Sequence, residues 1–150
     1  MSTYETGQHS QIGIFKPQRQ RGLCPLRRGL FAAQLDPTLE ELGDIKTAIS
    51  EAVTNAIVHG YPDELGKVVV KLRSYPDHSL EIIVQDWGRG IRDVDKAREP
   101  MYTTGGEERS GMGFTIMESF MDTMKVRSVP GRGTTVTMRK KVALRAGGRL

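Results

Sequence analysis

Two polar side chains stand out on an otherwise ordinary helix. Apolar residues at Leu39, Leu42, Ile45, Ile49, Val53, Ala56 and Ile57 recur every three or four positions and predict one buried stripe. At about 100° per residue, Glu51, Asn55 and His59 fall on the opposite side, one turn apart. A solvated face is the commoner use of such residues. Their types also suit chemistry. Asn55 offers a neutral, hard oxygen to Mg2+, an ion that takes few protein ligands and fills its shell from water and phosphate. Glu51 can accept a proton from an attacking hydroxyl or water.

Three Gly-x-Gly pairs stand where the chain changes direction. Gly88-Arg89-Gly90 follows Asp86 at a strand end, Gly111-Met112-Gly113 precedes a helix, and Gly131-Arg132-Gly133 joins two strands. Each alone fits an ordinary turn. Together with Glu51 and Asn55 they compose a nucleotide site. Glycine lets the backbone come close to a flat base or a phosphate. Asp86 can accept a hydrogen bond from an exocyclic amine, which selects adenine over guanine. Gly111 and Gly113 at a helix N-terminus expose amide groups suited to phosphate. The polar segment 92–110 is long enough to act as a lid, with Arg109 placed to approach a γ-phosphate. His59, with Gly60 next, reads as a helix-end cap rather than a ligand.

These residues need a scaffold, and the pattern supplies one. Ile12, Ile14 and Phe15 can begin a short strand, and residues 16–29 mix prolines, glycines and arginines without a period. Asp36-Pro37 reads as a helix start, with Asp as N-cap and Pro at the first helical position, and Gly60 as the stop. Lys67–Ser74 and Leu80–Asp86 read as paired strands across the Tyr75–His78 turn. Asp93–Arg98 can form a short helix. Gly111-Met112-Gly113 opens a second amphipathic helix with Phe114, Met117, Phe120 and Met121 in its stripe, the methionines as core fillers. Met124–Ser128 and Thr134–Met138 form a last hairpin. The expected fold is α+β: a two-layer α/β sandwich, its sheet mixed and mostly antiparallel, with helices on one face.

The net charge of +4 is unevenly spread. Residues 1–30 hold five basic and one acidic side chain, and residues 138–150 hold five basic and none acidic, which leaves 31–137 at −5. The basic balance belongs to the ends and does not indicate a nucleic-acid surface. Three parts follow: an atypical arm over 1–30, a nucleotide-binding body over 31–138 and a basic tail over 139–150. The single Cys24 excludes an internal disulfide and fits a reducing compartment. No apolar run approaches the roughly 20 residues of a membrane span. A cytoplasmic protein is expected, without membrane or direct nucleic-acid partners.

The order Glu51…Asn55-x-x-x-His59-Gly60, Asp86-x-Gly88-x-Gly90, Gly111-x-Gly113, Gly131-x-Gly133-Thr134 resembles the four boxes of the GHKL (Bergerat) ATPase superfamily, which includes gyrase, histidine kinases and MutL. Within it, Gln34–Thr38, Ser50–Ile57 and Arg109–Glu118 are most similar to the anti-sigma F factors of spore-forming bacilli, and the similarity is dense from Phe31 to Val136. That resemblance implies a homodimeric, ATP-dependent protein serine kinase. It would bind and inhibit a sporulation sigma factor and phosphorylate a serine of an anti-anti-sigma factor, with ATP/ADP and Mg2+ as cofactors. By position it makes Glu51 the general base, Asn55 the Mg2+ ligand and Asp86 the adenine reader. Gly88 and Gly90 would line the base pocket, and Gly111, Met112 and Gly113 would hold phosphates. Thr104 would lie in the lid, Arg109 at the γ-phosphate and Thr135 near the adenine edge. Upstream of Phe31 the family has a strand and then a helix. Pro17, Pro25 and the glycines of residues 16–29 oppose that helix. Three other readings share these residues: a general-stress partner-switching kinase, a nucleotide-gated binding module with little catalysis, and a detached histidine-kinase domain. No helical module with an acceptor histidine precedes the body, which counts against the last.

Overall fold

The computed structural model describes residues 9–15, 36–99 and 113–142. Five strands form one sheet: β1 (His9–Phe15), β2 (Val68–Ser74), β3 (Ser79–Asp86), β4 (Thr123–Val129) and β5 (Gly133–Lys141), in the order β1-β2-β3-β5-β4. Every ladder is antiparallel, so the sheet is more uniform than the mixed one expected. The helices are α1 (Leu39–Asn55), α2 (Val94–Arg98) and α3 (Gly113–Phe120).

Alternation along the strands decides which side is core. Val68, Val70 and Leu72 on β2, Leu80, Ile82 and Val84 on β3, and Val136 and Met138 on β5 are buried. They pack against Ile45, Ala48, Ile49 and Ala52 of α1 and Phe114 and Met117 of α3. The intervening residues, such as Lys71, Ile83 and Thr137, alternate onto the other face of the sheet and are half-buried. The methionines do fill the core: Met117 and Met138 are fully buried.

The α1 stripe differs from the expected one in a way that shapes the site. Leu39 is exposed, Leu42, Val53 and Ile57 are only partly buried, and Ala48 and Ala52 join Ile45, Ile49 and Ala56 inside. The buried face is therefore turned toward Ala48 and Ala52. Measured from its centre, Asn55 lies about 80° away and Glu51 about 120° away at 3.6 residues per turn. Asn55 is on the margin of the packed face, not opposite it.

Both ends of α1 correct the sequence-based expectation. Thr38, not Asp36, is the N-cap. Its side chain accepts the Glu41 N–H at 3.0 Å, and the Glu41 carboxylate accepts the Thr38 N–H at 2.8 Å. This reciprocal pair satisfies two end donors at once, which a lone Asp cannot do. Asp36 lies outside the helix with φ of 55°. Thr38→Ala removes one half of the pair and is expected to cost about 1 kcal/mol of folding stability, read as a lowered urea midpoint at unchanged slope. At the other end the α-helix gives way to a wider π-turn over Ala56–Gly60, a form that often accompanies functional sites.

Strand β5 carries three residues assigned above to the basic tail. Lys140 Nζ donates to the Phe120 carbonyl at 2.8 Å and lies 3.6 Å from Asp44. Arg139 donates to Ser79 Oγ at 2.8 Å and stacks 4.5 Å from the Tyr75 ring centre. Their charges tie the last strand to its neighbours, so composition alone misplaced that boundary. No helix among the described residues is long and apolar enough to cross a membrane.

Candidate functional site

The end of α1, the end of β3, the start of α3 and the β4–β5 turn meet around one cavity of about 520 Å³. That size suits a small-molecule ligand or cofactor. Its floor is formed by Ala52 and Asn55 of α1, by Ala56 of the π-turn and by Val84, Asp86 and Val136 of the sheet. Gly90, Gly113, Gly131 and Thr134 reach it from the three glycine turns, and Arg89 and Arg92 add positive charge.

Asp86 is the buried charge of the site, only 6% exposed. Burial pushes its carboxyl above the ordinary value of 3.8, and backbone N–H groups of Gly88 and Thr134 pull it partly back. One of its oxygens accepts the Gly88 N–H at 2.9 Å. Gly60 lies directly against the carboxylate, where an added Cβ would come within 3.1 Å. The aim of Asp86 is thus fixed from two sides.

Gly88 itself does not line the cavity. Its Cα packs on the π-turn, where a Cβ would come within 2.2 Å of the Gly60 carbonyl oxygen. Its place in the sequence is explained by close approach of two backbones rather than by contact with a ligand. Gly90 does line the cavity, at φ of 74°, with Val129 O 2.4 Å from where its Cβ would stand. The Arg89 main chain fastens the same loop: its N–H donates to Gly60 O at 3.0 Å, and its carbonyl accepts the Gly131 N–H at 2.7 Å.

At the other end, Gly113 meets the Asn55 carboxamide so closely that a Cβ would lie 2.9 Å from Nδ2. The N-terminus of α3 therefore sits beside the one amide side chain on the floor. This pairing suits phosphate with an attendant cation. Among the described residues no three His, Cys, Asp or Glu side chains gather to hold a metal. A cation at Asn55 would suit Mg2+, which draws most of its ligands from phosphate and water. The donor set present fits that ion.

Asn55, Asp86, Gly90 and Gly113 thus meet at one cavity. Glu51 stands one turn before Asn55, half-buried, and is not among the lining residues. Thr135 requires a correction. It pairs with Gln85 on the opposite face of the sheet, while Thr134, paired with Asp86, lines the cavity. Strand alternation makes a one-residue shift a change of face. Thr104, Arg109, Gly111 and Met112 lie outside the described residues. Trp87 flanks Asp86 but is 48% exposed and not a lining residue, with Lys67 Nζ 5.2 Å from its ring centre.

Gly60, Thr134 and His59 also line the cavity; the sequence places all three in the box pattern but gives none of them a part in the site, with Gly60 read as the helix stop. The parity running from Met138 through Val136 to Thr134 was the available signal for the second. His59 enters because the π-turn widens the last turn of the helix, which no periodicity announces.

The chain is similar to known proteins. Residues 20–140 match the model of the histidine kinase-like ATPase domain. The anti-sigma F factor of Clostridium perfringens strain SM101 is 56% identical over 133 residues, which is 88% of this chain and 95% of that protein. The chain belongs to the anti-sigma F factor family. The anti-sigma F factor of Clostridium acetobutylicum is likewise 56% identical, over 115 residues, covering 76% of this chain and 80% of that one. Because only 120 residues follow position 30, the 133-residue match to the Clostridium perfringens protein includes part of the segment set apart as atypical. Among solved structures, the blue-light activated histidine kinase of Erythrobacter litoralis EL346 superposes with a TM-score of 0.58 at 23% identity, over 77% of this chain and 40% of that one. At that identity the likeness concerns the fold: an anti-sigma F family member here carries a histidine kinase-like ATPase architecture.

Proposed function

We propose that this chain is an ATP-dependent protein serine kinase that inhibits a sporulation sigma factor of the sigma F kind. Its substrate is a serine of an anti-anti-sigma factor, and it works as a homodimer in the cytoplasm. The observation that carries this reading is the convergence of Asn55, Asp86, Gly90 and Gly113 on one nucleotide-sized cavity, in a chain 56% identical to a protein named anti-sigma F factor.

Asp86 accepts the adenine amine, and its seat against Gly60 and Gly88 keeps the carboxylate from turning away. Gly90 lines the same cavity, with its Cβ position taken up by the Val129 carbonyl. The α3 N-terminus at Gly113 faces the phosphates, joined by Gly111 and Met112. Asn55 contributes one oxygen to Mg2+, which when bound offsets the charge of the phosphates. Glu51, outside the base pocket, accepts the proton of the incoming serine hydroxyl. The serine oxygen forms the new bond to the γ-phosphorus, the bond to the ADP oxygen breaks, and the proton stays on Glu51. Arg109, outside the described residues, is assigned to the γ-phosphate and Thr104 to the nucleotide.

The test mixes the chain with its sigma factor and anti-anti-sigma factor, with ATP and then with ADP. Serine phosphorylation is followed by intact mass and complex formation by size exclusion. With ATP the anti-anti-sigma factor gains one phosphoryl group. With ADP it stays bound and unphosphorylated, and the sigma factor is released. Nucleotide-dependent exchange without phosphoryl transfer would instead make the chain a nucleotide-gated binding module.

A further inference from the structure

We propose that Tyr61 sets the adenine preference of the site by holding the Asp86 loop in register, a positioning role that rests on the nucleotide reading above. Tyr61 follows the π-turn and is buried, 7% exposed. Its hydroxyl donates to the Lys67 carbonyl at 2.7 Å and accepts the Trp87 N–H at 2.8 Å. One side chain thus joins the exit of α1, the entry of β2 and the exit of β3. Its ring lies over Gly66, where an added Cβ would come within 2.1 Å of ring carbons. Gly66 is the seat that lets the ring reach this position.

The three amides after Asp86 are all committed. The Trp87 N–H goes to Tyr61 Oη, the Gly88 N–H to the Asp86 carboxylate and the Arg89 N–H to the Gly60 carbonyl. Residues 60 and 61 therefore hold the loop on both sides of the bond that aims Asp86. The Gly60 bond is main chain and survives any side-chain change. The Tyr61 bond is the one that depends on a side chain distant in sequence. Without the hydroxyl, the part-buried Trp87 N–H loses its partner, and the loop relaxes to find another.

The consequence is selective. A carboxylate reading one amine is sensitive to direction, because a hydrogen bond weakens steeply when misaligned. Phosphate held at the α3 N-terminus, on the other side of the cavity, does not depend on that aim. Losing the Tyr61 hydroxyl should therefore weaken recognition of the base and spare the grip on the phosphates.

The experiment titrates the full chain with ADP and with inosine diphosphate, each with Mg2+, by calorimetry. Inosine diphosphate carries a carbonyl where adenine has its amine. Tyr61→Phe keeps the ring on Gly66 and removes only the hydroxyl. Its preference for ADP over inosine diphosphate is expected to fall about tenfold, the scale of one well-placed hydrogen bond. Gly66→Ala pushes the ring off its seat with the hydroxyl intact and should narrow the preference in the same way. Equal weakening of both nucleotides in Tyr61→Phe, or no change in either, overturns the inference, since a merely structural role does not distinguish amine from carbonyl. Asp86→Asn is measured alongside. If it leaves ADP binding untouched, the nucleotide reading fails and the Tyr61 role with it. If it abolishes the preference while Tyr61→Phe retains it, only the Tyr61 role fails.

Discussion

Glu51→Gln is expected to reduce phosphoryl transfer to the serine partner by about 10²–10⁴-fold, the usual contribution of a general base. ATP binding should be unchanged. Gln has nearly the shape of Glu and keeps a hydrogen-bonding carbonyl, so the helix and its packing are preserved. What it loses is the capacity to take a proton. Glu51 lies one turn from Asn55 but not among the residues lining the cavity, so removing its charge takes nothing from the base pocket. A single-turnover assay separates the two effects, because binding and transfer are read in different steps. Transfer at the wild-type rate would rule out the general-base role. Weakened ATP binding with transfer per bound complex preserved would move Glu51 from proton acceptor to ligand contact.

Asp86→Asn has the second large effect and should act on binding. The carboxylate is buried, and an amide in its place can still accept the Gly88 N–H through its oxygen. Its NH2 group then faces the cavity, donor against the donor amine of adenine. A site built to pair one polar group, when mismatched, loses far more than a single contact. Affinity for ADP should drop by about 10²-fold or more, as measured by calorimetry.

The pH dependence follows from the same burial. The folded carboxyl titrates above the ordinary 3.8 because desolvation disfavours its charged form. Between 3.8 and the raised value the folded chain binds the proton more readily than the unfolded chain. Stability from this group is therefore greatest at low pH and declines as pH rises through that window. Adenine binding runs the other way. It needs the carboxylate, and it should weaken as pH falls into the same window. Asp86→Asn should remove both trends. A wild-type ADP affinity that is flat across the window would contradict the assignment of Asp86 to the adenine amine.

The fold was largely legible because its elements are strongly patterned. The β-branched run of β2, the alternation of β3 and the glycine-bounded β4–β5 hairpin all stand close to where the sequence puts them. The errors share one cause: a local rule was applied without the partner that decides it. Asp36 satisfies the preference for an N-cap, but Thr38 wins because Glu41 returns its hydrogen bond. Arg139 and Lys140 look like part of a solvated tail by charge, yet Ser79, Phe120 and Asp44 give them partners within the body. Thr135 lies one residue from the cavity in sequence and on the other face in space.

The residues around the cavity were legible in a different way. Asn55, Asp86, Gly90 and Gly113 were recognisable by type and order, which chemistry constrains. Their roles as floor, rim or brace depend on how α1 turns about its axis, a turn that buries Ala48 and Ala52. Gly88 shows the distinction well. The sequence reading put it in the base pocket, but it packs on the Gly60 backbone instead and lines no part of the cavity.

Calorimetric titration of the intact chain with ATP and Mg2+, with inosine triphosphate as control, tests the central claim most directly. One ATP should bind per chain, ADP should compete for the same site, and inosine triphosphate should bind much more weakly. Equal binding of ATP and inosine triphosphate, or no binding of either, would contradict the reading of this cavity as an adenine-nucleotide site.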